Sequence, residues 1–525
     1  MANDEVDIVI IGLGAAGSAA AWNLSKNNLK IVCLEQGSKY DSSIFPKNKS
    51  ELIKNNNLNI NPNYRKLAGD YSIDDSESPI SIANYNGVGG STILYSGHFP
   101  RMHPSDFCTK SQDGVGEDWP FKYEDLEKYY DLNDKMMKVS GLSGDPAYPP
   151  IKNLLPPVPL GYSGERIAKS FKRLKWHWWP SYSSVISNDN KINEKKGIFN
   201  SGLSVNQTYL PLALKNGIEV RHNCRVVKIN TDNYGHAKNV IYENEKRELI
   251  RLESKIFILA CSGAGTPRLL LNSVNKSNPN GLSNKSGLVG KNLMLHPLGY
   301  VEGVFDEYLE SSFGPQGCCI ASKEFYETRN EHNFKRGYTM HVLRGADPLD
   351  TAISLKRFKK MKFGKSFKED FLQIYGKSVP IAIICEDLPE ISNCIELDNE
   401  NKDSSNMPGI KIKYKLSHNT KMMMSHGINK AKIVLKEAGA KSVTAFGPVR
   451  HTGWHIMGTT KMGIDSETSV VNEFGQSHEI KNLLIVDSSV FNTSGGVNPM
   501  STIQAVALKF TSELIKNPHR FDLRL

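Results

Sequence analysis

Residues Val6 to Gly17 read VDIVIIGLGAAG, and a second apolar run, Leu29 to Leu34, ends at Glu35. The first six residues suit a short buried strand, and Gly12-Leu13-Gly14-Ala15-Ala16-Gly17 opens a helix behind it. Strand, glycine turn, helix, strand and terminal acid in this order form the dinucleotide-binding fingerprint in its required context. Gly12 makes the tight turn, Gly14 lets the backbone and the first helical residues Ala15 and Ala16 approach a pyrophosphate, and Gly17 lets the helix pack on the sheet. The Glu35 carboxylate is expected to accept a hydrogen bond from a ribose hydroxyl, and it would repel a phosphate there, which argues against NADP. The fold class implied is α/β.

Two C-terminal segments carry the chemistry: HTGWHIMGTTKMG, from His451 to Gly463, and VDSSVFNTSGGVNPMSTIQAVAL, from Val486 to Leu508. In the second, Asn498 is expected to cap a helix with Pro499 at its first position. Ile503, Val506, Ala507, Phe510 and Leu514 follow at helical spacing. The positive helix end then opens at Asn498, Pro499, Met500 and Ser501, where it suits the negative N1–C2=O edge of a reduced flavin. A histidine and an asparagine beside such a helix start suit removal of a hydride from an alcohol.

Together the two ends resemble the glucose-methanol-choline (GMC) family of FAD-dependent oxidoreductases. Three further stretches carry the likeness: Gly87-Val88-Gly89-Gly90-Ser91-Thr92 running on to Pro100-Arg101, then Ser262 to Ser273, with Gly263 where another small residue is usual, and Gly287 to Pro297. The resemblance implies an FAD-binding Rossmann-like domain and a discontinuous α+β substrate domain containing an antiparallel sheet. It implies that His455, in the pattern H-x-x-G-T, takes the hydroxyl proton near its unperturbed pKa while a hydride passes to flavin N5. Asn498 would bond the substrate oxygen. It further implies cofactor contacts from Gly89, Gly90 and Ser91, from backbone near Val226 to the adenine, and from Asp487 and Ser488 to the ribityl or pyrophosphate chain, although Asp487 also suits a turn cap. His296, His451 and His478 have no matching role and read as structural or surface residues. No metal site is expected. In the pyranose oxidase branch a loop histidine tethers FAD; that position is Leu94 here, so the FAD should be non-covalent. Tyr95 and Arg101 lean toward the polyol, sugar and sugar-acid dehydrogenases.

The chain has 525 residues, 39% hydrophobic, more than one core usually supports. The expected division is an FAD-binding domain of residues 1–150, 205–297 and 450–525 and a substrate-binding domain of residues 151–204 and 298–449. Lys47 to Ser78 is polar and Asn-rich, suggesting a long excursion over the flavin. Asp118 to Gly141 reads as a helix, and the proline-rich Pro146 to Pro159 as a domain crossing. Gly217 to Ile229 and Lys255 to Cys261 read as strands. Between His296 and Val449 the pattern suggests the antiparallel sheet, with Asp387 to Asp398 on its edge. The eight scattered cysteines suggest a reducing compartment, and with no leader and no apolar run of about 18 residues the expected location is the cytoplasm. The net charge of +10 is spread along the chain, which argues against nucleic acid. The one basic run, Lys356 to Lys368, suits a solvated face, and less readily a membrane surface or a redox partner.

Three functions are compatible with this pattern. The first is oxidation of a sugar, polyol or related alcohol, with O2, a quinone or another electron acceptor. The second is a hydroxynitrile lyase-like reaction in which the flavin stays oxidised, and the third a catalytically silent binding protein. A disulfide reductase needs a redox cysteine pair, and a flavin monooxygenase a second nucleotide fingerprint; the sequence shows neither.

Overall fold

The strand Glu5–Ile11 lies inside a seven-stranded sheet, and Ile8, Val9 and Ile10 are fully buried, so both faces are covered. That is the environment of a parallel strand walled by helices. The computed structural model describes residues 5–39, 72–185, 202–232, 234–315, 317–344, 348–349, 351–352, 355 and 364–523. Ile8 pairs in parallel with Ile31 on one side and with Ile256 on the other. The sheet order is Glu219–Arg221, Ile31–Leu34, Glu5–Ile11, Leu249–Leu259, Ala237–Glu243 and Arg225–Thr231. The long strand Leu249–Leu259 gives its first half to an antiparallel pairing with Ala237–Glu243 and its end to Leu483–Ile485 in parallel. The fold is thus the GMC-type α/β architecture that the motifs implied.

Between the first two strands, the helix Ala15–Leu24 starts directly after Gly14. Gly12 has φ +93°, and a Cβ at Gly17 would stand 2.0 Å from the Gly12 carbonyl oxygen, so turn and helix can close on each other only as glycines. The helix packs on Met500–Lys516 through buried Ala16, Ala19 and Ala20, and Asn23 Nδ2 donates to Thr511 Oγ1 and Ser512 Oγ, both at 3.0 Å. The expected helix of the Asp118 to Gly141 stretch is Tyr123–Met136. It braces the same C-terminal helix, with Tyr130 OH and Thr502 Oγ1 2.7 Å apart and Asn133 Nδ2 donating to the Ser501 carbonyl at 3.0 Å.

A second, six-stranded antiparallel sheet runs in the order Ser442–Phe446, Leu298–Val304, Ser378–Cys385, Tyr338–Arg344, Gly317–Ser322 and Trp179–Pro180. Its side chains alternate as the pleat requires. Val301, Ile381, Ile383, Tyr338, Met340 and Val342 face a core shared with the helix His418–Glu437. Leu298, Ala382 and Ile384 form a small apolar cluster with Tyr300, Leu343 and Val449 on the opposite face.

Two expectations need correction. Asp387 to Asp398 is not an edge of this sheet: only Cys394–Lys402 is a strand, and it belongs to a separate three-stranded sheet with Pro408–Lys413 and Ile73–Glu77. The part before it is held by side chains instead. The Asp387 carboxylate accepts from Leu295 N–H at 3.0 Å and Tyr414 OH at 2.6 Å, and Pro389 has no N–H to give a ladder. Of the Asn-rich stretch, Lys47 to Tyr71 lies outside the described residues. Ile73–Glu77, expected to be irregular, is a strand because Ile73 buries against the Pro408–Lys413 strand and Lys411 Nζ meets Glu77 at 2.7 Å. The basic run is described only from Gly364, where the helix Lys365–Ile374 begins.

Arg101 and Arg336 tie these layers together. Arg101 reaches Asp131 at 2.7 Å and Asp134 at 2.5 Å on the Tyr123–Met136 helix. Arg336, fully buried, meets Asp106 at 2.5 Å, Asp113 at 2.8 Å and Glu386 at 3.0 Å. Replacing Arg336 with Met leaves the fully buried Asp106 and Glu386 without their cation, an effect of about 3–5 kcal/mol in buried pairs. We therefore expect Arg336→Met to unfold at markedly lower denaturant. Arg173→Ala, which breaks the exposed pair with Glu437, should cost at most about 1 kcal/mol. Urea unfolding of the three proteins side by side is the check, and equal midpoints would refute the assignment.

Candidate active site

A cleft runs along the carboxyl ends of the parallel strands, where open α/β sheets bind their ligands. At one end it is lined by Glu35, Arg225, Val226 and Met407. The middle is lined by Gly12, Gly14, Ala15, Ala16, Gly90, Ser91 and Ser262, and the other end by Trp454, His455, Asp487, Ser488, Pro499 and Met500. Most residues singled out from sequence therefore share one wall. Gly17, Gly89, Asn498 and Ser501 stand behind it: Gly17 packs on the turn, and Gly89 (φ +100°) precedes a short turn of 3-10 helix, Gly90–Ile93. The fingerprint loop and the Gly-Gly loop touch backbone to backbone, since a Cβ at Gly90 would stand 2.8 Å from Gly14 Cα.

Glu35 is buried, and its carboxylate accepts from Leu13 N–H and Gly37 N–H, both at 2.9 Å, so it clamps the fingerprint turn to the end of its strand. Asp487 accepts from Ser489 N–H at 2.9 Å and Thr266 Oγ1 at 2.6 Å, capping the turn Ser488–Val490 while still lining the cleft. Ser488 Oγ donates to the Ile456 carbonyl at 2.7 Å, fixing the residue after His455. At the far end Asp403 holds Arg225 at 3.0 Å and Arg268 at 2.6 Å.

The C-terminal helix starts one residue later than expected. Met500 is its first residue, Pro499 takes the capping position, and Asn498 makes no cap. Its amide is turned instead toward His455, with Nδ2 3.3 Å from His455 Nε2 and the buried Oδ1 without a partner. Two side chains thus meet where the positive helix end opens on the cleft.

His455 is placed by strand register. Met294 and Met457 form an antiparallel bridge, which sets residue 296 opposite residue 455, and the two Nδ1 atoms are 2.9 Å apart. His296, read from sequence as structural, is indeed buried but is in direct contact with His455; nothing local in the sequence announces that pairing. Its Nε2 lies 2.5 Å from the Gly495 carbonyl and 3.1 Å from that of Ser494. Desolvation pushes His296 down to about 4, and desolvation, with the His296 and His98 imidazoles adding to it, holds His455 well below the usual 6.5. His455 is therefore not near its unperturbed pKa. Although one side is open to the cleft, protein surrounds the ring, and it is neutral at pH 7. Sequence reasoning also missed His98 and His341, whose rings lie parallel with centroids 5.2 Å apart. With Cys318 they bring three potential ligand atoms within 4.8 Å of one another. Burial depresses both imidazoles, His98 to about 4.

These residues fit a dinucleotide cofactor. The lining includes Glu35, the fingerprint glycines, Gly90, Ser91 and Met500, and Ser262 Oγ on it, with Asn498 Oδ1 and Ser501 Oγ behind it, are buried polar atoms without partners among the described residues.

Two family models, both described as GMC oxidoreductase, match residues 190–298 and 389–507. The chain is similar to a 2-methyl-1,2-propanediol dehydrogenase of Mycolicibacterium austroafricanum, 35% identical over 96% of this chain and 94% of the relative. It is also similar to the fructose dehydrogenase large subunit of Gluconobacter japonicus, 26% identical over 97% and 98% of the two chains. The crystal structure of pyridoxine 4-oxidase from Mesorbium loti shares the fold, with a TM-score of 0.66 at 15% identity over 97% of this chain and 99% of that one. With family models matching two separate segments and a relative aligned nearly end to end, this chain belongs to the GMC oxidoreductase family.

Proposed function

We propose that this chain holds FAD non-covalently and oxidises the CH–OH group of a small diol, polyol or sugar to the carbonyl. The observation that carries this reading is a neutral imidazole, His455, set against Asn498 where a helix N-terminus opens on a dinucleotide-shaped cleft. Gly12, Gly14, Ala15 and Ala16 would hold the pyrophosphate, Glu35 the ribose and Val226 the adenine. Ser91, Asp487 and Ser488 would flank the ribityl chain, and Pro499, Met500 and Ser501 the isoalloxazine. Bound there, FAD supplies the two-electron acceptor for the carbinol hydrogen.

His455 Nε2 takes the hydroxyl proton and Asn498 Nδ2 donates to the substrate oxygen. A base of such low pKa removes a hydroxyl proton poorly by itself. Concerted loss of the carbinol hydrogen means that no free alkoxide facing an imidazolium has to persist. The names of the similar dehydrogenases support a short polyol or sugar. Segments 1–150, 205–297 and 450–525 form the cofactor-binding unit in this reading, which the origin of all seven strands of the parallel-containing sheet supports. All eight cysteines are free thiols, which suits the cytoplasm, and among the described residues no helix is long and apolar enough to cross a membrane. Electrons leave to O2, a quinone or another acceptor.

Three results are expected. Acid precipitation should release all the flavin as FAD into the supernatant, and colour kept by the pellet would exclude a dissociable cofactor. In anaerobic stopped-flow mixing with short diols and sugars, His455→Ala should reduce its flavin about 10²–10⁴-fold more slowly than the parent at unchanged FAD content, and a loss under about threefold would falsify the role of His455. The unprotonated base exists above the depressed pKa of His455 and is lost only as pH falls through it. The limiting reduction rate should therefore stay level from about pH 8 to about pH 6, whereas a half-maximal point near the usual 6.5 would show an unperturbed imidazole.

A further inference from the structure

We infer that His296 is a positioning residue that keeps the ring proton of His455 on Nδ1 and so leaves Nε2 bare as the base. The inference rests on His455 being the base proposed above.

The argument is a chain of donors and acceptors. His296 Nε2 faces only carbonyl oxygens, Gly495 at 2.5 Å and Ser494 at 3.1 Å, and carbonyls accept, so this nitrogen carries a proton. Burial keeps the ring neutral at pH 7, hence its Nδ1 holds a lone pair. That lone pair is 2.9 Å from His455 Nδ1, and the contact is a hydrogen bond only if His455 donates. A neutral His455 with its proton on Nδ1 has an unprotonated Nε2, the atom that faces Asn498 Nδ2 at 3.3 Å. Two backbone carbonyls of the loop leading to Asn498 thereby decide the tautomer of the base. The arrangement parallels the way an orienting carboxylate fixes a catalytic histidine, with a neutral imidazole in its place.

A core histidine satisfied by backbone would need none of this, and the local backbone argues against that plainer reading. His296 has φ +51° in the left-handed region, where side-chain-bearing residues are rare, and Pro297 follows it. The strained conformation turns the ring away from the Met294 bridge so that it spans the gap between His455 and the Ser494–Gly495 carbonyls. The rings meet edge to face at 86°. That geometry aims the in-plane lone pair of one ring at a ring nitrogen of the other.

Nitrogen-15 spectra of the parent holoenzyme labelled at histidine, with the His455 signals assigned by their loss in His455→Asn, read the tautomer directly. We expect a protonated Nδ1 and a bare Nε2 at neutral pH; the opposite assignment overturns the inference whatever any variant does. Flavin reduction by His296→Leu and His296→Gln is the second arm. Leu cannot accept from His455, whereas the Gln amide both accepts and donates. At parental FAD content His296→Leu should lose at least about tenfold in limiting rate with the alcohol dissociation constant within about twofold, and His296→Gln should stay within about threefold of the parent. Equal losses in both variants, or a Leu variant within about threefold, would overturn the role; if the Leu variant fails to hold flavin, the spectra decide. A normal rate in His296→Leu beside a collapsed His455→Ala removes only this inference, whereas a normal rate in His455→Ala removes the base itself.

Discussion

The cleft exists because chain segments far apart in sequence meet without side chains between them. A Cβ at Gly12 would stand 2.5 Å from the Ala260 carbonyl oxygen, and one at Gly263 would stand 2.4 Å from that of Ile456. The first contact seats the fingerprint turn on the neighbouring strand. The second presses the segment bearing His455 onto the helix Ser262–Asn272. Gly263, which departs from the usual family residue, is thus required here by the carbonyl beneath it. A methyl group at either place would have to push backbone, not a flexible side chain. A displacement of about 1 Å at a reacting centre is enough to cost a large factor in rate.

The same closeness sets the electrostatics. Packing that excludes water from His296 and His455 makes a proton on either expensive, so the pair is neutral where an exposed histidine would be partly charged. For the base role proposed above, a low pKa weakens His455 but keeps it unprotonated at neutral pH. The acid side of this bargain appears in stability as well. Each buried imidazole has its folded pKa below its unfolded one, so its stabilising contribution is complete above about pH 6.5 and fades as pH falls toward the folded value. With His98 and His296 near 4 and His341 and His455 also depressed, those contributions fade over the same acidic range.

The legible parts of this molecule are those whose physics is local. A strand, a glycine turn and an acid declare a nucleotide fold within thirty-five residues, and the apolar spacing after Pro499 declares a helix. The details that failed are set by tertiary partners. Asn498 has the chemistry of a cap, yet its amide turns to His455 because Pro499 takes the capping position. Ile73–Glu77 has an acidic, strand-poor sequence, and it is a strand because Ile73 buries beside Ile410 and Lys411 meets Asp74 and Glu77. His296 could not be paired with His455 from spacing, since the Met294 to Met457 bridge joins residues more than 160 positions apart. His98 and His341 are brought together by a loop and a sheet face in the same nonlocal way.

The two larger sheets contribute different surfaces that meet at one contact. His455, proposed above as the base, and the Ser494 and Gly495 carbonyls that face His296 flank Leu483–Ile485, a strand of the parallel-containing sheet. In the antiparallel sheet every second residue of Leu298–Val304, Tyr338–Arg344 and Ser378–Cys385 points the same way, and Leu298, Ala382 and Ile384 share the front, the face away from the helix His418–Glu437. Thr339 Oγ1 donates to the Gly496 carbonyl at 2.6 Å and accepts from Lys323 Nζ at 2.6 Å, binding that face to the loop whose neighbouring carbonyls hold His296. Because alternation sends most core-forming side chains to the helix-covered back, Leu298, Ala382 and Ile384 form a separate, smaller buried cluster on the front. Thr339 shares that face and bonds the loop before Asn498, and His341 shares it stacked on His98. Substitution of Thr339 therefore reaches the loop before Asn498 through the Gly496 carbonyl, whereas substitution of Leu298, Ala382 or Ile384 acts first on the small apolar cluster.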